Sequence, residues 1–161
     1  MNKKDNLYNV LFIFILGSIL HFTYKWSNNN FLVGLISPTN ESIYSHTKLF
    51  ILPTFIFYIW FYHRNKVILK KDKFFSKMII QLLSSIISMV LIYYTARYGF
   101  NIESLWFDIT LFLINIIMGL VISNHYYQYS KKGFNYKLWS LVIIVLTVIL
   151  TIYPLDLPFF R

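Results

Sequence analysis

The sequence predicts an all-α fold, a polytopic membrane protein in which five transmembrane helices form one bundle. Hydrophobic residues make up 57% of the 161 positions and charged residues only 13%, whereas soluble domains carry about 25% charged residues. The mean hydropathy is +0.57, and several apolar runs reach or approach the ~20 residues that cross a bilayer core. Because that core offers no water to unpaired backbone groups, these runs are predicted to be helices of a single transmembrane domain, residues 1–161.

The predicted spans follow one another along the chain. Their approximate bounds are 7–24, 43–62, 75–96, 105–127 and 138–153. The fifth span is only just long enough to cross. The first span is not read as a cleaved signal peptide, because His21, Tyr24 and Trp26 stand where a small-residue cleavage site would lie. Residues 31–37 are too short to cross, so they form either an interfacial segment or a re-entrant loop, and we favour the interfacial alternative.

Lysine and arginine are distributed unevenly over the two sides that these spans define. One side carries only Lys25, Lys48, Arg97 and Arg161. The other side carries eleven basic residues: Lys3, Lys4, Arg64, Lys66, Lys70, Lys71, Lys73, Lys77, Lys131, Lys132 and Lys137. Positive residues concentrate on the cytoplasmic side of membrane proteins. We therefore expect a cytoplasmic N-terminus and, with an odd number of spans, an extracytoplasmic C-terminus.

The charge and the amino-acid composition exclude several classes of function. The net charge is +9, but we assign it to loops between helices, and no basic face or groove-reading helix is present, so nucleic acid binding is excluded. An anionic lipid surface is the simpler partner for this charge. The chain has no cysteine, which excludes disulfides, thiolate metal sites and cysteine nucleophiles.

The densest polar stretch, residues 37–46, opens the second span. Ser37 followed by Pro38 has the pattern of a helix N-cap and a first helical position. An acid at Glu41 in the first turn favours the helix dipole. Helix capping is therefore one complete explanation of the polarity of this stretch.

A binding site is the alternative explanation. Ser42 and His46 lie four residues apart and share a helix face. His21, near the end of the first span, is predicted to reach a similar depth in the membrane. Two histidines and Glu41 at one level are suited to a divalent metal such as zinc, with one position open for water.

The spacing of these residues is not diagnostic of a metal site. Glu41 and His46 are five residues apart, about 140° around a helix, so Glu41 reaches the same ion only if it bends inward. No His-Glu-x-x-His pattern is present. A histidine hydrogen-bonded to Glu41 or Ser42, joining two helices, is the alternative that the residues favour.

Span four carries an acid about one turn inside its predicted start, at Asp108. An acid in lipid costs about 2.5–3.5 kcal/mol on insertion scales, so it is predicted to face the bundle or a cavity. Arg97, at the end of span three, is its natural counter-ion. A structural pair of Arg97 with Asp108 or Glu103 is one interpretation, and an Arg97 clamp for an anionic headgroup or substrate is the other.

Small and polar residues inside spans three and four are predicted to pack helices together. They are spaced for close approach and for hydrogen bonds between helices. The residues are Ser84, Ser85, Ser88, Asn115, Gly119 and Ser123.

The polar pattern around the first loop resembles that of a family of small bacterial integral membrane proteins of unknown function. The resemblance covers most of the chain and is concentrated in residues 17 to 53. Its three parts are His21-Phe22-x-Tyr24-x-Trp26-Ser27, Val33-Gly34-x-x-Ser37-Pro38-x-Asn40-Glu41-Ser42 and His46-x-Lys48-Leu49. It implies a multi-helix protein of the bacterial cytoplasmic membrane, and it draws attention to His21, Asn40, Glu41 and His46. The family pattern has an acid where this chain has Ser45, which weakens a metal-ligand cluster.

Three functions remain open at this stage. The leading hypothesis is an outward-facing polar pocket that binds a lipid headgroup, ion, small solute or partner through His21, Asn40, Glu41, Ser42, His46 and Arg97, with Asp108 also in its lining. The second is a membrane-embedded enzyme, with or without a bound metal, acting on lipid or a lipid-linked substrate, with Glu41, His46 and Asp108 as catalytic candidates. The third is an accessory subunit of a transporter or secretion complex, because no internal repeat is evident.

Overall fold

The structure is a computed structural model that describes residues 2–160, so Arg161 lies outside the described part of the chain. Its helices are α1 (Lys3–Trp26), α2 (Phe31–Gly34), α3 (Ile43–Asn65), α4 (Lys71–Tyr94), α5 (Leu105–Tyr129) and α6 (Tyr136–Ile152). A π-helical turn, Thr95–Gly99, extends α4, and a 3-10 turn, Pro158–Phe160, ends the described chain. Residues 2–160 contain no strand, which confirms the all-α class.

Three helices are long and apolar enough to cross a membrane, as judged by length and composition. They are Lys3–Trp26, Lys71–Gly99 and Leu105–Tyr129, which contain the first, third and fourth predicted spans. Helix α6 is apolar but has 17 residues. Helix α3 has 23 residues and falls outside this group, because its first turns carry the polar residues Ser45, His46 and Lys48. The structure is therefore compatible with a membrane protein.

Helix α3 begins five residues later than the Ser37-Pro38 pattern predicts. Its N-cap is Ser42, whose hydroxyl accepts a hydrogen bond from the Ser45 backbone N–H at 3.2 Å. Ser37 instead donates its hydroxyl to the Val33 carbonyl, at 2.9 Å. The predicted N-cap at Ser37 was wrong because serine and asparagine side chains here bond to nearby backbone and hold the chain out of a helix.

The Asn40 side chain fixes the end of this non-helical segment. Its carbonyl oxygen accepts hydrogen bonds from the Ser42 backbone N–H at 3.2 Å, the Ser42 hydroxyl at 2.7 Å, and the Ser45 hydroxyl. Its amide also donates to the Phe160 carbonyl at 3.5 Å, and the Phe160 ring packs on Tyr44. The C-terminal segment therefore lies over the start of α3.

Helices α4 and α5 make the most extensive contact in the bundle. Gly119 permits it, since an added Cβ would lie 2.1 Å from the Ser85 Oγ and 2.5 Å from the Gln81 carbonyl oxygen. The predicted close packing at Gly119 is confirmed. The Ser88 hydroxyl donates to a carbonyl of its own helix rather than to a neighbouring helix. The Ser123 hydroxyl donates to the Leu120 carbonyl and also interacts with the Tyr58 hydroxyl of α3.

Two lysines lie inside the bundle rather than in loops. Lys48 is 1% exposed, and its Nζ donates to the carbonyls of Gly34 at 2.8 Å and Ser37 at 3.3 Å. Lys77 lies in α4, is equally buried, and its Nζ stands 5.9 Å from the centre of the Tyr58 ring. The assignment of all basic residues to loops was wrong for both, because their long side chains reach carbonyls and aromatic rings inside the protein.

Candidate functional site

A cavity of about 640 Å³ opens between α1, α3, α4 and α5, at the end of the bundle where α1 ends and α3 and α5 begin. Its walls are mostly apolar, with Phe14, Leu49 and Phe112 among them. Its polar lining consists of Ser18, His21, Glu41, His46, Tyr93, Arg97 and Asp108. The cavity thus brings together five residues that the sequence singled out, from four separate segments of the chain.

Three potential metal ligands meet at one wall of this cavity. The Nε2 atoms of His21 and His46 are 3.2 Å apart. The Glu41 Oε2 lies 3.7 Å from the His21 Nε2 and 3.5 Å from the His46 Nε2. The three residues come from α1, the segment before α3, and the first turn of α3. They form a compact triangle of two imidazole nitrogens and one carboxylate oxygen, which we call the His-Glu triad.

Helix geometry fixes the orientation of His46. Its Nδ1 lies 2.8 Å from the carbonyl oxygen of Ser42, four residues earlier. A carbonyl only accepts hydrogen bonds, so the Nδ1 carries the hydrogen and, in the neutral ring, the Nε2 keeps its lone pair. That lone pair is directed toward the other two ligands, and a ligating histidine is commonly held in this way by a hydrogen bond from its other nitrogen.

Glu41 reaches the triad because it precedes the helix. Since α3 starts at Ile43, the 140° separation expected on a helix does not apply to Glu41. Its side chain is 69% exposed, against 30% for His21 and 24% for His46. Lys25 stands 3.8 Å from the Glu41 Oε1 and is 74% exposed, and such an exposed ion pair contributes little to stability.

The dimensions of the triad fit a tetrahedral zinc ion. Zinc binds imidazole nitrogen and carboxylate oxygen at about 2.0–2.2 Å, so neighbouring ligands of a tetrahedral site lie about 3.3–3.5 Å apart. Separations of 3.2, 3.5 and 3.7 Å allow one point about 2.1 Å from all three atoms. The fourth position of such an ion would be left for water or a ligand, as in catalytic zinc sites.

Arg97 and Asp108 pair at another wall of the same cavity. The Arg97 Nη2 donates to the Asp108 Oδ2 at 2.8 Å, and the Nη1 donates to the Ile102 carbonyl at 3.0 Å. The guanidinium also lies 5.1 Å from the centre of the Tyr93 ring. Arg97 stands on the π-helical turn Thr95–Gly99, and such turns are frequent at functional sites. Of the two partners predicted for Arg97, Asp108 and Glu103, it is Asp108 that accepts its hydrogen bond.

Asn40 and Ser42 were predicted to bind ligand, and the structure places them in the cap of α3. Neither is among the residues that line the cavity. Ser42 acts on the site only through its carbonyl, which orients His46. Asn40 is occupied by the serines of the cap and by the C-terminal segment.

Sequence reasoning missed two parts of the molecule. One is Tyr93, which stacks on Arg97 and could have been found from the four-residue spacing of an aromatic and a cation in a helix. The other is a buried network near the opposite end of the bundle. There the Gln81 Nε2 donates to the Asn9 Oδ1 at 2.7 Å, and the Tyr58 hydroxyl donates to the Gln81 Oε1 at 2.6 Å.

Comparison with known proteins gives a family and no activity. No curated protein and no solved structure matches the chain. A family model matches residues 1–161, the full sequence, in agreement with the resemblance seen in its polar pattern. The chain therefore belongs to DUF6512, a family of unknown function.

Proposed function

We propose that this protein is a five-span protein of the bacterial cytoplasmic membrane whose outward-facing pocket binds a divalent metal ion, zinc, through the His-Glu triad. The observation that carries the proposal is the triangle of ligand atoms at 3.2, 3.5 and 3.7 Å. The hydrogen bond from the His46 Nδ1 to the Ser42 carbonyl supports it, because it directs the free nitrogen to the metal position.

The five-span arrangement rests on length, packing and charge. Helix α3 has 23 residues, which at 1.5 Å per residue give about 34 Å, enough to cross a core of about 30 Å. It packs against α1 and α4, and each of these is apolar enough to cross on its own. Helix α6 spans about 26 Å and continues into residues 153–160. The excess of Lys and Arg on the side of the N-terminus makes the cavity side extracytoplasmic.

An ion-binding pocket fits the triad better than simple joining of two helices. A histidine that only joined helices would need one partner, whereas here three ligating atoms converge within 4.8 Å of one another. Two of the three belong to half-buried side chains that line a cavity. The ligand atoms of the His-Glu triad therefore lie where a metal ion can reach them.

A metal-dependent enzyme is the second candidate, favoured by the open ligand position. Structural zinc sites use four protein ligands, whereas catalytic sites keep one position for water or substrate. In such an enzyme Glu41 and His46 would hold the metal, together with His21. Asp108 would remain as the carboxylate available to accept a proton within the same cavity.

Metal analysis of the purified protein tests the proposal. The full chain, carrying an affinity tag without histidines, is purified in mild detergent, equilibrated with zinc and freed of unbound metal. We expect about one zinc per chain. His46→Gln or Glu41→Gln should reduce the zinc content at least about tenfold, because even the loss of a group that only supports a ligand lowers metal affinity about 10–100-fold. The matched control is His125→Gln, an exposed histidine on α5, which should leave zinc content unchanged. Wild-type content below about 0.1 zinc per chain would overturn the proposal.

A further inference from the structure

The charge of the cavity depends on the metal. With neutral imidazoles, the charged side chains that line it are Glu41, Asp108 and Arg97, which sum to −1. Bound zinc adds two positive charges and makes the cavity +1. Lys25 and Glu103 lie nearby but outside the lining, and their opposite charges offset each other. The metal therefore reverses the sign of charge that the cavity accepts.

Arg97 is built to hold an anion within this cavity. Its guanidinium uses one N–H of Nη2 on Asp108 and one of Nη1 on a backbone carbonyl. Its Nε makes no hydrogen bond to any residue of 2–160. A guanidinium carries further N–H groups beyond these, and phosphate oxygens are among its best acceptors.

The rim of the cavity is continuous with the lipid-facing surface of the helices. Phe22 on α1 and Leu105 and Ile109 on α5 line the cavity and are also exposed. In a membrane-spanning bundle, exposed apolar side chains at this position face acyl chains. A ligand with a chain could therefore enter from the side, with its polar head at the His-Glu triad and Arg97 and its chain along these residues.

From this arrangement we infer that the cavity binds the headgroup of a phospholipid with one negative charge, and that bound zinc strengthens this binding. The inference rests on the proposed metal site and adds its ligand. One phosphate oxygen occupies the open zinc position, Arg97 donates to another, and the single negative charge matches the +1 of the loaded cavity. Because coupling between two ligands is reciprocal, the lipid also tightens zinc binding by the same factor.

Native mass spectrometry of the full-length protein tests the inference, since it resolves bound zinc and bound lipid in one spectrum. The protein is titrated with phosphatidylglycerol or phosphatidylcholine of identical acyl chains, with zinc and after chelation. Zinc should tighten phosphatidylglycerol binding at least about tenfold, within the usual range of coupling between sites. Binding of zwitterionic phosphatidylcholine should change less than about twofold. Glycerophosphoglycerol, which is the same singly charged phosphodiester without acyl chains, should bind at least about tenfold more weakly than phosphatidylglycerol.

A pair of matched variants distinguishes lipid binding in the cavity from non-specific electrostatic attraction to the protein. In the species that carries one zinc per chain, which the same spectra resolve, Arg97→Gln should abolish the preference for phosphatidylglycerol. Arg64→Gln makes the same charge change at the opposite end of the bundle, on α3, and should keep the preference.

Each outcome bears on one proposal. Zinc bound without any change in phosphatidylglycerol affinity overturns the lipid inference alone. Absence of zinc overturns the metal site first and this inference with it. Equal binding of glycerophosphoglycerol and phosphatidylglycerol overturns the lipid as occupant in favour of a soluble phosphate ester. An unchanged preference for phosphatidylglycerol in Arg97→Gln overturns the role of the cavity.

Discussion

The Lys48 Nζ donates a hydrogen bond of 2.8 Å to the backbone carbonyl of Gly34. Lys48 stands in the second turn of α3, and Gly34 ends the short helix α2. The same ammonium reaches the Ser37 carbonyl at 3.3 Å. This single side chain ties the segment between α1 and α3 to the bundle, and that segment delivers Glu41 to the His-Glu triad.

Replacing Lys48 by Met should therefore loosen the segment and weaken the metal site together. The substitution keeps the length of the side chain but leaves two buried carbonyls without their charged donor, which costs about 1.5–3 kcal/mol for such a hydrogen bond. The expected result is a lower midpoint of thermal unfolding in detergent and faster protease cleavage between residues 27 and 42.

Lys25→Met is the control for this experiment, because Lys25 is 74% exposed and contacts only the exposed Glu41 carboxylate. It should leave the unfolding midpoint unchanged. If Lys48→Met unfolded at the wild-type temperature with unchanged cleavage, the anchoring role of Lys48 would be refuted.

The contact between α4 and α5 should be sensitive to a single methyl group at Gly119. An added Cβ there meets the Ser85 Oγ at 2.1 Å and the Gln81 carbonyl oxygen at 2.5 Å. Since the second of these is backbone, the helices must separate, and overpacking of this kind costs about 1–3 kcal/mol. Gly119→Ala should lower the unfolding midpoint, as measured by thermal denaturation in detergent.

Gly99 provides the matched control for the Gly119 variant. An added Cβ at Gly99 meets only the Thr95 Cγ2, at 3.8 Å, which is an ordinary contact. Gly99→Ala should therefore unfold within a degree or two of the wild type. Equal effects of the two alanines would show that α4 and α5 do not depend on close approach at Gly119.

Two substitutions in the buried network of Asn9, Tyr58 and Gln81 should lower the free energy of unfolding by different amounts. Gln81→Leu removes the partner of both the Tyr58 hydroxyl and the Asn9 carbonyl oxygen, whereas Tyr58→Phe leaves only one acceptor without its donor. Hydrogen bonds between membrane helices are worth about 0.6 kcal/mol on average and up to about 1.7.

We expect Tyr58→Phe to cost an amount in that range and Gln81→Leu to cost about twice as much. The double variant should be less destabilised than the sum of the two singles, because they remove the same bond. Tyr129→Phe, at an exposed tyrosine, is the control. Strict additivity of the two variants in denaturation measurements would contradict the network.

The cavity could be predicted from the sequence because ionisable residues are rare in apolar helices and must face inward. His21, His46, Arg97 and Asp108 were singled out by that argument, and the structure places all four in the lining of one cavity. The start of α3 could not be predicted, because Ser37-Pro38 and Ser42 are both good caps. The choice between them depends on Asn40 reaching Ser42, Ser45 and the C-terminal segment.

The network of Asn9, Tyr58 and Gln81 could not be predicted from the sequence, for a different reason. Each residue is one polar position in a long apolar helix, and pairing them requires the rotation and register of three helices. Lys48 and Lys77 were wrongly assigned to loops, because counting basic residues assumes that every lysine is a charge in contact with water. Whether its long side chain points outward or into the bundle depends on which carbonyls and rings lie within reach.

Cysteine labelling provides a direct test of the proposed topology, because the chain has no cysteine of its own. Single cysteines at Lys4, Glu103, Lys132 and Leu155 occupy exposed positions, two on each predicted side of the membrane. In intact cells a membrane-impermeant maleimide should label Glu103→Cys and Leu155→Cys. It should label Lys4→Cys and Lys132→Cys only after the membrane is opened. These two positions lie on the side that carries eleven of the fifteen basic residues, and such an excess predicts the cytoplasmic side.

Each pattern of labelling distinguishes a different arrangement. Labelling of the Lys4 and Lys132 variants in intact cells, with protection of the other two, would invert the topology and place the cavity on the cytoplasmic side. Labelling of Lys4 and Leu155 from the same side would require an even number of spans, so that either α3 or α6 fails to cross. Helix α6 is the weaker element, because it has 17 residues. It is held to α3 by the Tyr44 hydroxyl, which donates to the Thr147 carbonyl at 2.7 Å.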